Sequence, residues 1–185
     1  MTLWEGIVYR SYKKVRRTLA IKKASLTADR ILEELKKCGV THVICLPDAE
    51  GQFLYQALTS RSDFTVVPVC REGEAIAIAT GLMLGGKDPV VLHQNTGFFE
   101  SGDSVRGLGL DLQLPLLLLI TYRGWRRNSL ITDSAALFIE PILNAWAVRH
   151  YLVEMNEDVE RVSLAFKEAH DSQKPVAILI AKEYE

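Results

Sequence analysis

The chain has 185 residues, 48% hydrophobic and 24% charged, with a net charge of −1. That composition suits one soluble α/β domain with a substantial core and excludes collagen-like, disordered and strongly basic nucleic-acid-binding classes. The charge is unevenly placed: residues 1–24 hold seven Lys and Arg against Glu5 alone, a local +6, which leaves −7 on residues 25–185. Two units follow, a basic extension over 1–24 and a domain over 25–185. The extension has no apolar run behind its charges, so it does not read as a secretory signal. Being a single short stretch, it does not read as a nucleic-acid site either.

In chain order, Thr27 to Cys38 sets Ile31, Leu32 and Leu35 on one helical face, with Thr27 or Ser25 as its cap and Gly39 as its stop. Val43 to Leu46 is a strand halted by Pro47, Gln52 to Ser60 a helix, and Thr65 to Val69 a strand. Glu72 to Leu84 is an Ala-rich helix and Pro89 to Leu92 a strand, with further helix inside Val105 to Leu112. Strand Leu116 to Thr121, helix Ala135 to Trp146, strand Tyr151 to Val153, helix Val159 to His170 and strand Val176 to Ile180 complete the alternation. Six apolar strands separated by helices predict a three-layer α/β fold, a mostly parallel six-stranded sheet with helices on both faces. The longest apolar run, Leu114 to Ile120, is too short for a membrane span of about 20 residues. Cys38, Cys45 and Cys70 lack the pairing or spacing of a disulfide framework or zinc site and fit reduced thiols in a cytoplasmic protein. His42, His150 and His170 are scattered without metal-ligand spacing. His93, directly after an apolar strand, reads as a satisfied strand-end histidine, with lining of the site as the alternative.

Ligands of parallel sheets sit beyond the carboxyl ends of the strands. Four polar or Gly-rich loops fall there: Pro47 to Gly51, Cys70 to Gly73, His93 to Gly97 and Tyr122 to Trp125. Asp48 suits a turn or cap as well as a ligand contact, and Asn95-Thr96-Gly97 reads as a turn. Glu72 lies at a strand-to-helix junction, where a helix N-terminus favours negative charge. Ala75, Ala77, Ala79 and Gly81 follow it, small enough for a neighbour to approach closely and bury that carboxylate, and burial raises a carboxyl pKa.

The run from Val67 to Leu108, with LPLLLLITYRGW (114–125) behind it, resembles the pyrimidine-binding domain of thiamine diphosphate-dependent decarboxylases, most nearly the sulfopyruvate and phosphonopyruvate decarboxylase family. The likeness extends over roughly 27–182. It includes a glutamate nine residues before a helix glycine, here Glu72 and Gly81. The resemblance implies that Glu72 hydrogen-bonds the aminopyrimidine of the cofactor and promotes the imino tautomer that activates it. By the same likeness Gln94, Asn95, Thr96 and Gly97 lie beside the pyrimidine, and Pro47 and Asp48 approach the thiazolium and substrate. Arg106 and Arg123 are candidates for gripping an anionic substrate, because a guanidinium offers paired donors to sulfonate, phosphonate or carboxylate.

The family's Gly-Asp-Gly site for Mg²⁺ and the diphosphate is absent, and Ser101-Gly102-Asp103-Ser104 is not a substitute. The resemblance therefore implies an α subunit that works only with a β subunit holding the metal and diphosphate, and whose pyrimidine domains also self-associate. The expected substrate is a small anionic 2-oxo acid, 3-sulfopyruvate first and phosphonopyruvate or another 2-oxo acid next. A non-catalytic binding or regulatory module of the same fold is the reading from another class.

Overall fold

A computed structural model describes residues 26–127, 130–131 and 133–182, so the basic extension over 1–24 lies outside the described residues. Helix α1 (Ala28–Lys37) buries Ile31, Leu32 and Leu35 completely. Asp29 in its first turn and Lys36 and Lys37 in its last complement the helix dipole. Gly39, at φ +79°, ends it as expected, with Gly39 N–H donating to Lys36 O and Val40 N–H to Leu35 O. Thr27 holds the N-cap position, but its side chain does not cap. Its N–H and hydroxyl both donate to Asn156 Oδ1, at 3.0 and 3.2 Å, tying α1 to the short 3₁₀ turn Asn156–Asp158.

The remaining elements are β1 (His42–Cys45), α2 (Gln52–Thr59), β2 (Thr65–Pro68), α3 (Glu72–Leu84), β3 (Pro89–Gln94), α4 (Asn95–Glu100) and a single turn α5 (Gly102–Ser104). A π-helix over Val105–Asp111 follows, then β4 (Leu117–Thr121), α6 (Ser134–Ala145), β5 (Arg149–Val153), α7 (Arg161–Ser172) and β6 (Val176–Ile180). All five strand pairings are parallel, in the order β2-β1-β3-β4-β6-β5. The sheet is thus wholly parallel, where the sequence predicted it mostly so.

Burial explains the order. Strands β4 and β6 are buried at every residue and β3 at all but its last, as strands covered on both faces must be. The edge strands β2 and β5 are only partly covered, and Pro68, which cannot donate to a ladder, ends one of them. One apolar cluster joins α1, α2 and α7 to the sheet through Leu35, Leu54, Leu92, Leu119 and Ala165. The other joins α3, α4 and α6 to the opposite face through Ile76, Val91, Phe98, Leu118 and Ile139. Each large aliphatic side chain buried this way contributes roughly 1.5–3 kcal/mol.

Several elements differ from the sequence reading, which placed no helix over residues 95–104 and began β5 only at Tyr151. Strand β3 runs on to Gln94, and helix α4 begins at Asn95 without a turn, so Asn95-Thr96-Gly97 is helical. The later helix is a π-helix, in which Asp111, five residues past Arg106, accepts from its guanidinium. Gly109 allows this path beside Pro175, whose Cγ would lie 2.8 Å from an added Cβ.

The chain runs outward from β1 to β2 and then returns to place β3 on the other side of β1. That reversal opens a crevice beyond the carboxyl ends of β1 and β3, where a ligand is expected.

Candidate active site

Glu72 is the first residue of α3, directly after the loop of residues 69–71 that leaves β2. Its side chain is half-buried in the chain by itself and lies against Gly97. A Cβ added at Gly97 would come 2.7 Å from Glu72 Cγ and 2.8 Å from its Oε1, closer than real Cβ atoms approach. The carboxyl thus occupies the space a side chain at position 97 would take, and the crevice brings Glu72 and the Gln94–Gly97 segment together. The small residues of α3 do not form one packed stripe: Ala75 and Ala79 are buried on the sheet, whereas Ala77 and Gly81 face outward.

Within that segment the roles diverge. Asn95 is wholly buried and structural: its Nδ2 donates to Arg123 O at 2.9 Å and its Oδ1 accepts Thr96 N–H, joining α4 to the loop after β4. Thr96 is half-buried. Gln94 has a buried Oε1 without a hydrogen-bond partner. Its registered neighbour on β4, Thr121, has a buried and equally unpartnered Oγ1. Buried polar atoms are nearly always satisfied, so an orphaned pair at the carboxyl edge is a candidate contact for a ligand.

Other candidates surround this core. Pro47 is exposed, and Asp48 is half-buried with Oδ1 accepting Gly51 N–H at 2.7 Å, the turn role its residue type allows. Burial, and then the Asp48 charge, push the Glu50 carboxyl above its ordinary range, while the Arg123 charge pulls the other way. Arg123 itself sits 3.4 Å from Asp133, the residue that caps α6 by accepting Ala135 N–H. The loops after β1 and β4 are therefore near enough for the Arg123 charge to act on Glu50. Arg106 is not brought to this cluster by its contacts: its guanidinium is engaged by Asp103 and Asp111. It lines a cavity of about 290 Å³ between Phe98, Phe99, Ile142 and Trp146, a cavity that Glu72 does not reach.

A family model described as "Thiamine pyrophosphate enzyme, N-terminal TPP binding domain" matches residues 26–129, more than half of the chain. The chain belongs to this family. Among curated relatives, sulfopyruvate decarboxylase subunit alpha of Methanocaldococcus jannaschii is 26% identical over 151 residues, which are 80% of this chain and 89% of that one. The corresponding subunit of Methanococcus maripaludis is 30% identical over 97 residues, covering 52% of this chain and 58% of the relative. A phosphonopyruvate decarboxylase of Streptomyces hygroscopicus is 29% identical over 99 residues, 54% of this chain but 25% of its own length. Among solved structures, a 2-oxoglutarate:ferredoxin oxidoreductase from Magnetococcus marinus superposes with a TM-score of 0.62 over 83% of this chain and 28% of that chain. At 17% identity that likeness shows the shared fold alone.

As a thiamine pyrophosphate-binding domain, this chain offers residues that fit the pyrimidine end of the cofactor. A half-buried carboxyl stands at a helix start, a glycine keeps its flank open, and an unpartnered amide oxygen lies on the adjoining strand end. Among the described residues no three His, Cys, Asp or Glu side chains gather to hold a metal. No helix among them is long and apolar enough to cross a membrane.

Sequence reasoning missed Thr121, Glu50 and Asp133, whose places depend on strand register and loop convergence. It also missed Glu100, which accepts Gly73 N–H at 3.0 Å and pairs with Arg71. His93 needs correction. It is 1% exposed, but neither ring nitrogen has a hydrogen-bond partner, so it is a buried, unsatisfied histidine packed edge-on to Phe98. Its place next to the apolar strand was legible, but not its position inside β3 nor the burial that leaves both ring nitrogens without a partner.

Proposed function

We propose that this chain is the pyrimidine-binding α subunit of a two-subunit thiamine diphosphate-dependent 2-oxo acid decarboxylase acting on 3-sulfopyruvate, with sulfoacetaldehyde and carbon dioxide as products. The observation that carries the reading is the Glu72 carboxyl seated against Gly97, three residues along the chain from Gln94, whose buried amide oxygen has no partner. Bound thiamine diphosphate supplies the electron sink that lets a 2-oxo acid lose carbon dioxide. The chain supplies the proton handling: Glu72 holds a proton at its carboxyl oxygen and exchanges it with the pyrimidine ring, a task an amide cannot perform. Gln94 offers an unpartnered amide oxygen at the end of β3 to the cofactor, while Asn95, through Arg123 O, fixes the start of α4. Thr96, Pro47 and Asp48 are assigned to cofactor and substrate in this reading because they lie in the segments after β3 and β1. Arg123, half-exposed at the end of β4, is better placed than the doubly paired Arg106 to receive the substrate's anionic group. Mg²⁺ and the diphosphate belong to the β partner in this reading. The three unpaired cysteines accord with a cytoplasmic location.

The test is co-purification with a partner chain bearing Gly-Asp-Gly, followed by assay of 3-sulfopyruvate and phosphonopyruvate with thiamine diphosphate and Mg²⁺. Turnover of 3-sulfopyruvate is expected in the complex, and Glu72→Gln should lower kcat by at least about 100-fold while the complex still forms. Preference for phosphonopyruvate would change the substrate and keep the chemistry. Absence of turnover with any 2-oxo acid would overturn the reading in favour of a binding module.

A further inference from the structure

Helix α3, which begins with Glu72, starts without a local cap. The N-cap residue is Arg71, and its side chain accepts nothing from the helix. An uncapped start leaves backbone N–H groups in need of acceptors. One carboxylate from another helix supplies an acceptor: Glu100, the last residue of α4, accepts Gly73 N–H at 3.0 Å through Oε2, while Glu74 folds back to accept Cys70 N–H, at 3.2 Å, in the loop before the helix. The other oxygen of Glu100 is bonded to Arg71 Nε. Glu100 therefore grips the residue before Glu72 and the residue after it. The Arg71 pair first, and the Gly73 amide next, hold the Glu100 carboxyl below its ordinary range, so it is a charged acceptor at neutral pH.

The same short helix also sets the side chain of Glu72. Gly97 and Glu100 are three residues apart and share one helical face. Gly97 meets the Glu72 carboxyl, while Glu100 meets the backbone that carries it. Ser104, beyond α4, closes the back of the contact, its Oγ 3.0 Å from where a Cβ on Gly73 would lie. We propose that Glu100 is a positioning residue for Glu72, capping α3 from across the crevice so that the catalytic carboxyl is held in place against Gly97. This rests on the functional reading above, and it makes α4 the part that couples the Gln94–Gly97 segment to the helix bearing the proton-handling group.

Two measurements test it. In the full chain, Glu100→Ala should speed hydrogen exchange at the Gly73 amide by at least about 10-fold, and Glu100→Gln, which keeps an acceptor, should restore most of the protection. In the complex with the partner, Glu100→Ala should slow exchange of the thiazolium proton of bound thiamine diphosphate by roughly 10-fold or more. It should lower kcat with little change in KM, because a small misplacement of a reacting group acts on chemistry more than on binding. Glu100→Asp, which keeps the charge but retracts the carboxylate by one methylene, should move both readouts the same way and serves if the alanine variant does not fold. An unchanged Gly73 amide would overturn the cap. A loosened amide with unaltered thiazolium exchange would overturn the positioning role and leave a purely structural bond. A wild-type complex that takes up no thiamine diphosphate would defeat the functional reading, and the positioning role with it, while the amide result still reports on the cap.

Discussion

At position 97 a single methyl group decides the geometry. The Cβ of an alanine would lie 2.7 Å from Glu72 Cγ, so the Glu72 side chain has to swing away. Gly97→Ala should lower kcat of the complex by roughly 10-fold or more. The methyl addition is expected to destabilise the chain by about 1–3 kcal/mol. Steady-state kinetics and a denaturant midpoint check both, and wild-type kcat in a folded variant would mean that the close approach has no catalytic consequence. Residue identity alone pointed to Glu72 and to the Gln94–Gly97 segment, because a carboxylate at a strand-to-helix junction and a polar run after an apolar strand are local features. The division of labour was not legible. Asn95 became a brace through a bond to Arg123 O, 28 residues away, and Asp48 closed its own turn on Gly51.

Among the elements, α3 is the most informative. Its residues are apolar on every side, a pattern expected of a helix covered all round. Its inner residues Ala75, Ile76 and Ala79 meet the sheet, but Ala77 and Gly81 face outward and Leu84 is 75% exposed. No described atom lies within 4 Å of where a Cβ on Gly81 would sit. Gly81→Ala should therefore stabilise the chain by itself by about 0.5–1 kcal/mol, the helix-propensity difference, as read from urea unfolding. A loss of stability would mean that something packs closely on that face even without a partner. The boundaries of α3 and β6 were legible because their apolar runs are long and end at clear signals. The start of α4 was not, since Asn-Thr-Gly has turn chemistry, and only the buried Asn95 bonds and the Gly97 contact with Glu72 make a helix the better solution there.

For the whole molecule, the stability of the core depends on pH through His93. Burial lowers its pKa from 6.5 to about 4, the nearby Glu100 charge opposing this only in part. The unfolded chain therefore binds a proton that the folded chain refuses between about pH 6.5 and pH 4. Stability is full above that window and falls as pH drops through it, by on the order of 3 kcal/mol when complete. Urea midpoints at pH 7 and pH 5 should show the loss, and His93→Leu should flatten it. A pH dependence unchanged in that variant would assign the effect to other groups.

The amino-acid sequence by itself determined the class of fold, because apolar strands alternating with helices have one economical burial, a parallel sheet covered on both faces. It also determined the identity of the acidic residue at the head of α3 and the lack of a diphosphate motif, which are matters of residue type. Only the tertiary structure decided the strand order that opens the crevice, the Gly97 wall against Glu72, the partnerless nitrogens of His93 and the bond from Glu100 to Gly73. Those features join segments tens of residues apart, and their energies come from packing and desolvation, which no local pattern encodes.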